Sequence, residues 1–224
     1  MSKSSGPGPP SSPHDAARER MVARHLRARG IRDARVLDAM ARVPRELFVP
    51  DHLADDAYAD SPLPIGHGQT ISQPFIVALT AEAARISPGD RVLDVGTGSG
   101  YAAAVYAAMG ARVWSVEYVP ELAEAARAAL DAASAAHVRV VVGDGSRGLP
   151  EHAPFDAILS AAAASDIPPP WRAQLADGGR IVMPRERHAG WQQLVRVTRR
   201  GDREEPDDLG PVRFVPLRGE HGRA

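Results

Sequence analysis

Apolar and polar positions along this chain follow two different periods, and the change between them falls near Asp90. Before it, the spacing is helical. From Asp15, DAARERMVARHLRARG sets Met21, Val22, His25 and Leu26 on one face, with Asp15 as cap and Gly30 as stop. Asp33 opens a second helix carrying Val36, Leu37, Met40 and Val43, closed by Pro44. The stretch RELFVPDHLADDAYAD is irregular, with room for one helical turn. PFIVALTAEAARI then aligns Phe75, Ile76, Leu79, Ala83 and Ile86, with Pro74 in its first turn. Between these lies DSPLPIGHGQTISQP (60–74), rich in proline, glycine and uncharged polar groups. It is too broken for a helix or strand and too apolar for a solvated linker, so it reads as an ordered loop.

After Asp90 short apolar runs alternate with longer helical ones. RVLDV, RVWSVE, VRVVVGDG, FDAILS and RIVMP read as strands. YAAAVYAAMG, PELAEAARAALDAA and PPPWRAQLADGG read as helices between them. That order predicts an α/β fold, a Rossmann-like parallel sheet covered by helices on both faces. WQQLVRVTRR and VRFVPL, joined by the acidic loop GDREEPDDLG, read as an antiparallel pair at the sheet edge. One domain is expected over 14–224. Residues 14–89 carry the N-terminal helices and the loop, and 90–224 form the Rossmann-like core. Residues 1–13, nearly all Ser, Gly and Pro, are expected to be a disordered tail.

Composition narrows the function. The chain has 224 residues, enough for a substantial core, and a net charge of −1, so no global field draws it to nucleic acid or an anionic membrane. No apolar run approaches the roughly 18 residues of a membrane span, and no signal peptide is visible. The absence of cysteine removes disulfides, thiolate metal sites and Cys nucleophiles, and suits a cytoplasmic location. The histidines lack metal-ligand spacing, so no metal is expected. A monomer is the default.

The chemistry concentrates at strand ends. VLDVGTGSGY places Gly96, Gly98 and Gly100, with Ser99, in a turn after the first strand, where the backbone can approach a ligand. A dinucleotide fingerprint would put its third glycine at Tyr101. With Asp94 just ahead, the turn suits a cationic ligand such as S-adenosylmethionine (SAM). Glu117 ends the second strand, about 20 residues on, where an acid can accept both ribose hydroxyls. Asp144 ends the third, where it can accept from an adenine amino group. Capping or solvation explains any one of these acids, but three at successive strand ends favour the SAM site. An NAD site is the alternative, served by Glu117 alone.

The segments LPIGHGQTISQP, VPRELFVP, LDVGTGSGY, GDG, APFDAIL and RFVPL together resemble the protein-L-isoaspartate O-methyltransferase family over residues 20–217. The resemblance implies a SAM-dependent enzyme that methylates the α-carboxyl of isoaspartyl residues in damaged proteins and peptides. The ester then cyclises to a succinimide, whose hydrolysis restores some normal aspartate. It also implies that the loop closes over SAM and holds substrate, with Ser72 as the active-site residue. Gln69, Thr70, Ile71, Gly96, Thr97, Gly98, Glu117, Tyr118, Asp144 and Gly145 would line the cofactor. Ser72 lacks the setting of a hydrolase nucleophile and is expected to orient the substrate carboxylate. It is also expected to cap the helix that follows.

Thr70 could equally be a plain turn residue. Trp114, Trp171 and Trp191 are expected to be packing residues. His67, the Arg185–Glu186 segment and Arg218 depart from the family pattern and leave peptide preference open. Two rivals remain on the same scaffold: a carboxyl methyltransferase for aspartate in a dedicated peptide, and a SAM-binding module without catalysis.

Overall fold

The structure, a computed structural model, describes residues 13–187 and 190–223. The tail expected over 1–13 falls outside the described residues except for Pro13, which begins helix α1 (Pro13–Met21). The helix continues through a wide turn at 22–26 and a tight one at 27–29, and Gly30 stops it at φ 104°, a left-handed backbone that suits glycine. Asp15, expected as the cap, sits inside the first turn and accepts a hydrogen bond from Arg18. Helix α2 (Ala34–Arg42) begins as expected at Asp33, whose carboxylate accepts from the Arg35 N–H at 2.8 Å. Two 3-10 turns, at 45–48 and 51–56, follow where one turn is expected.

The segment expected as a loop is a hairpin. Strand β1 (Leu63–Gly66) pairs antiparallel with β2 (Gln69–Ile71). His67 and Gly68 turn the chain with φ of 51° and 69°, positive at both central positions, which matches the twist of a two-residue hairpin. Pro64 is tolerated because this two-stranded ribbon is all edge. Helix α3 (Pro74–Ala84) leads from the hairpin to the sheet.

The remaining elements are β3 (Arg91–Val95), α4 (Tyr101–Ala108), β4 (Arg112–Glu117), α5 (Pro120–Ala132), β5 (Arg139–Val142), β6 (Phe155–Ser160), β7 (Ala162–Ala163), α6 (Pro169–Gln174), β8 (Leu175–Glu186), β9 (Gln192–Arg200), β10 (Arg203–Val212) and β11 (Val215–Pro216). Seven strands form one sheet in the order β10-β9-β8-β6-β3-β4-β5, parallel from β8 to β5 and antiparallel at β9 and β10. The chain runs outward from β3 to β5 and returns to β6 on the other side of β3. That reversal opens a crevice at the carboxyl ends of the strands. Alternation along the strands builds two cores. Val92, Ala157, Leu159 and Val182 join the residues of α1 to α4, whereas Leu93, Ile158, Ile181 and Met183 pack with Phe155 and Trp171 on the other face.

The antiparallel edge pair exists, but its second strand lies upstream of the expected one. The acidic stretch is not a loop; it is β10, turned back on β9 at 201–202. Arg196 meets Asp207 at 2.7 Å and Arg200 meets Glu205 at 2.8 Å across the pair, so arginines of β9 offset the acids that make β10 look like a linker. VRFVPL supplies only the end of β10 and then β11, which pairs parallel with β7. The expected helix PPPWRAQLADGG is also shorter than predicted, because Leu175 to Gly179 enter β8 through an irregular register.

Candidate active site

The crevice holds a cavity of about 850 Å³, bordered by the ends of β3, β4 and β5, by the β1–β2 hairpin and by the chain around β11. In the turn that carries its base, Gly96 and Gly98, which border it, and Gly100 beyond them adopt φ of 89°, 54° and 89°, strained for any residue with a side chain. Glu117, only 6% exposed, accepts from the Gly98 N–H at 2.8 Å and from the Val119 N–H at 3.0 Å. Its carboxylate thus ties two strand-end turns together and retains lone pairs for a diol in the cavity. Gly145 lies so close to β3 that a Cβ there would fall 2.6 Å from Val95 Cγ1. The buried Trp171 indole donates to its carbonyl at 2.9 Å. Open backbone, a carboxylate and the half-exposed Tyr118 ring fit the nucleoside end of SAM.

Of the residues predicted for the cofactor, Gln69, Thr70, Gly96, Gly98, Glu117, Tyr118 and Gly145 border the cavity. Ile71, Thr97, Ser99, Gly100, Asp94 and Asp144 do not. Asp94 alternates with Val95, so its side chain is directed away from the cavity that Val95 borders. It is 2% exposed and accepts from Ser115 Oγ at 2.6 Å, and Ser115 Oγ lies 2.6 Å from Thr97 Oγ1. Burial pushes the Asp94 carboxyl up to about 7, opposed by the Ser115 hydrogen bond and reinforced by the charge of Glu117. Asp94 braces the glycine turn from beneath. Asp144 accepts from Ser146 N–H at 2.9 Å, Ser146 Oγ at 2.6 Å and the Glu220 N–H at 2.8 Å. Partial burial opposes ionisation there, yet these bonds and Arg147 hold the carboxyl below its ordinary range. Residues near the C-terminal end have closed over it.

Ser72 borders the cavity, and its hydroxyl makes no hydrogen bond among the described residues. The expected cap is absent: α3 has Gln73 at its N-cap position, without a side-chain bond. What fixes Ser72 is Arg45, which the sequence did not single out. The Arg45 guanidinium is wholly buried, donates to the Ser72 carbonyl at 2.8 Å and the Ala57 carbonyl at 2.7 Å, and stacks 4.7 Å from the Tyr101 ring centroid. It couples the hairpin to the helix that follows the glycine turn. Burial pulls its pKa down to about 10. Gln73 secures the same corner by donating to the Asp60 carbonyl at 2.9 Å.

Trp114 and Trp171 are buried as expected, but Trp191 is 69% exposed and borders the cavity, as do Arg213 and Phe214. The place of Trp191 just after the segment that departs from the family pattern was the signal available in the sequence. Among the described residues no group of His, Asp and Glu could hold a metal ion, and no helix is long and apolar enough to cross a membrane.

A model of the protein-L-isoaspartate(D-aspartate) O-methyltransferase family matches residues 17–222. A protein-L-isoaspartate O-methyltransferase of Methylorubrum populi is 61% identical over 204 residues, covering 91% of this chain and 95% of the relative. One of Methanoculleus marisnigri is 52% identical over 208 residues, covering 92% and 93%. A crystal structure from Plasmodium falciparum, described as a protein-L-isoaspartate O-methyltransferase in complex with S-adenosyl-L-homocysteine, superposes with a TM-score of 0.79 at 27% identity, covering 93% and 99%. With a glycine turn braced by Glu117, a cavity shared with the Ser72 hairpin and a family match spanning nearly every described residue, this chain belongs to the protein-L-isoaspartate(D-aspartate) O-methyltransferase family.

Proposed function

We propose that this protein transfers the methyl group of SAM to the α-carboxyl of L-isoaspartyl residues in damaged proteins and peptides, starting their repair through a succinimide. The observation that carries the reading is an unpartnered Ser72 hydroxyl in the same cavity as the Glu117-braced glycine turn. SAM supplies an electrophilic methyl on a positively charged sulfur. The substrate carboxylate is already ionised at neutral pH, so no general base is required. As the new C–O bond forms, the methyl–sulfur bond breaks and its electron pair neutralises the sulfonium. What the chain contributes is position. Glu117 accepts the ribose hydroxyls, and the backbone at Gly96, Gly98 and Gly145 leaves room for the nucleoside. Ser72 donates to one carboxylate oxygen so that the other points at the methyl group, and the hairpin residues Gln69 and Thr70 exclude water.

We also assign the protein to the cytoplasm as a monomer, without nucleic-acid or membrane partners. The lack of cysteine and the near-neutral charge support this.

The test is transfer of labelled methyl from SAM to matched isoaspartyl and aspartyl peptides. Base-labile ester on the isoaspartyl peptide alone is expected. Ester on neither, while S-adenosylhomocysteine still raises the melting temperature, would overturn the assignment.

A further inference from the structure

The cavity extends well beyond what the cofactor residues border. Four strand spacings separate β4, which ends in Glu117, from β9, which begins one residue after Trp191. At about 4.8 Å each, Trp191 lies about 19 Å along the sheet edge from the ribose acceptor. It is on the far side of the switch point from the nucleoside end. There Trp191 is more exposed than any other large apolar side chain among the described residues.

This wing is built rather than loose. The Gln192 amide accepts from the Phe214 N–H at 2.6 Å and donates to the Phe214 carbonyl at 3.0 Å, standing in for a strand partner. The Trp191 carbonyl accepts from the Arg187 N–H at 2.7 Å. The backbones that carry Trp191 and Arg213 are therefore held by the same residue pair. Arg213 borders the cavity, is exposed, and has no ion pair or hydrogen bond among the described residues. Arg218, exposed at the same cavity, is likewise unpaired among the described residues, whereas Arg185 and Arg196 on the neighbouring strands are each engaged by a carboxylate.

We propose that Trp191 and Arg213 form a subsite for the substrate chain flanking the isoaspartyl residue, taking an apolar side chain on the indole and an Asp or Glu carboxylate on the guanidinium. This rests on the isoaspartyl reading above and adds the kind of substrate the protein selects. An indole at the mouth of a cleft gives a flat apolar platform with little rotamer entropy to lose, and an unpaired guanidinium beside it favours anionic sequence over cationic.

The experiment compares kcat/KM for isoaspartyl peptides that differ only in flanking residues: leucine against glycine, and glutamate against lysine. Wild type, Trp191→Ala and Arg213→Glu are measured with each. Wild type is expected to favour leucine and glutamate by about tenfold each, as one half-buried side chain or one partly desolvated ion pair would give. Trp191→Ala should abolish the leucine preference and leave the glutamate preference standing. Arg213→Glu should reverse the glutamate preference. Preferences absent from wild type, or retained by the variants, overturn the subsite while transfer to all four peptides upholds the isoaspartyl reading. No transfer to any isoaspartyl peptide by wild type overturns that reading itself.

Discussion

The two halves of the cavity are made in opposite ways. The half proposed for the cofactor is a row of strand ends, Gly96, Gly98, Glu117 and Gly145, each set by the strand that leads into it. The half proposed for substrate is assembled from distant pieces: the β1–β2 hairpin, Trp191, and the chain from Pro211 to Leu217. Parallel strands side by side align their carboxyl ends automatically, so the first half needs few cross-links beyond Glu117. The second needs explicit ties, and Arg45 and Gln192 provide them. Local sequence suffices where a regular element does the positioning. It does not where one buried side chain holds two loops together.

The contrast predicts separable failures. Glu117→Ala removes a carboxylate that holds two backbone N–H groups and borders the cavity, so S-adenosylhomocysteine affinity measured by calorimetry should fall about 100-fold, as loss of charged hydrogen bonds worth about 2–3 kcal/mol implies. A loss below threefold would show that the acid is only structural. Arg45→Met leaves the Ser72 and Ala57 carbonyls unpaired, at a stability cost of about 1–3 kcal/mol in urea unfolding. It should also lower kcat about tenfold while cofactor affinity changes far less. Equal damage to both halves would erase the distinction.

Smaller effects sharpen the comparison. Ser72→Ala should lower kcat/KM about tenfold through one lost hydrogen bond to an anion, with melting temperature nearly unmoved because the hydroxyl caps nothing. Loss of stability instead would return Ser72 to a structural role. Asp94 gives the subtlest test. A folded pKa of about 7 against an ordinary 3.8 means the folded state binds the proton more tightly than the unfolded one. Wild-type stability from this group therefore declines as pH rises from about 4 to about 7 and levels off above. Asp94→Asn should remove that decline, so its urea midpoint relative to wild type rises between pH 5 and pH 8. Parallel pH profiles for the two proteins would rule out a buried titrating acid.

How much of this was legible differs residue by residue. The glycine turn and Glu117 were readable because strand, turn and helix follow one another in sequence. The hairpin at 60–74 was hidden by its prolines, which suppress the alternation that marks a strand. Strand β10 was hidden by its acids, whose offsetting arginines lie elsewhere, on β9 for Glu205 and Asp207 and on α6 for Glu204. Ser72 was found through the family motif, but its immobilisation by Arg45, 27 residues upstream, was not. Trp191 read as a packing residue because tryptophan is usually packed, and the position of β9 at the mouth of the crevice shows otherwise.

By itself the sequence determined the alternation of strands and helices, the backbone freedom of Gly96, Gly98 and Gly100, and an acid at the end of each of three strands. Those are properties of short contiguous segments. Which acids face the cavity was decided by the tertiary structure. Sheet pleat turns Asp94 under the floor toward Ser115, and Glu220, 76 residues beyond Asp144, closes over that carboxylate. Glu117 alone of the three borders the cavity, because the direction of a side chain at a strand end depends on which face is covered, and by what.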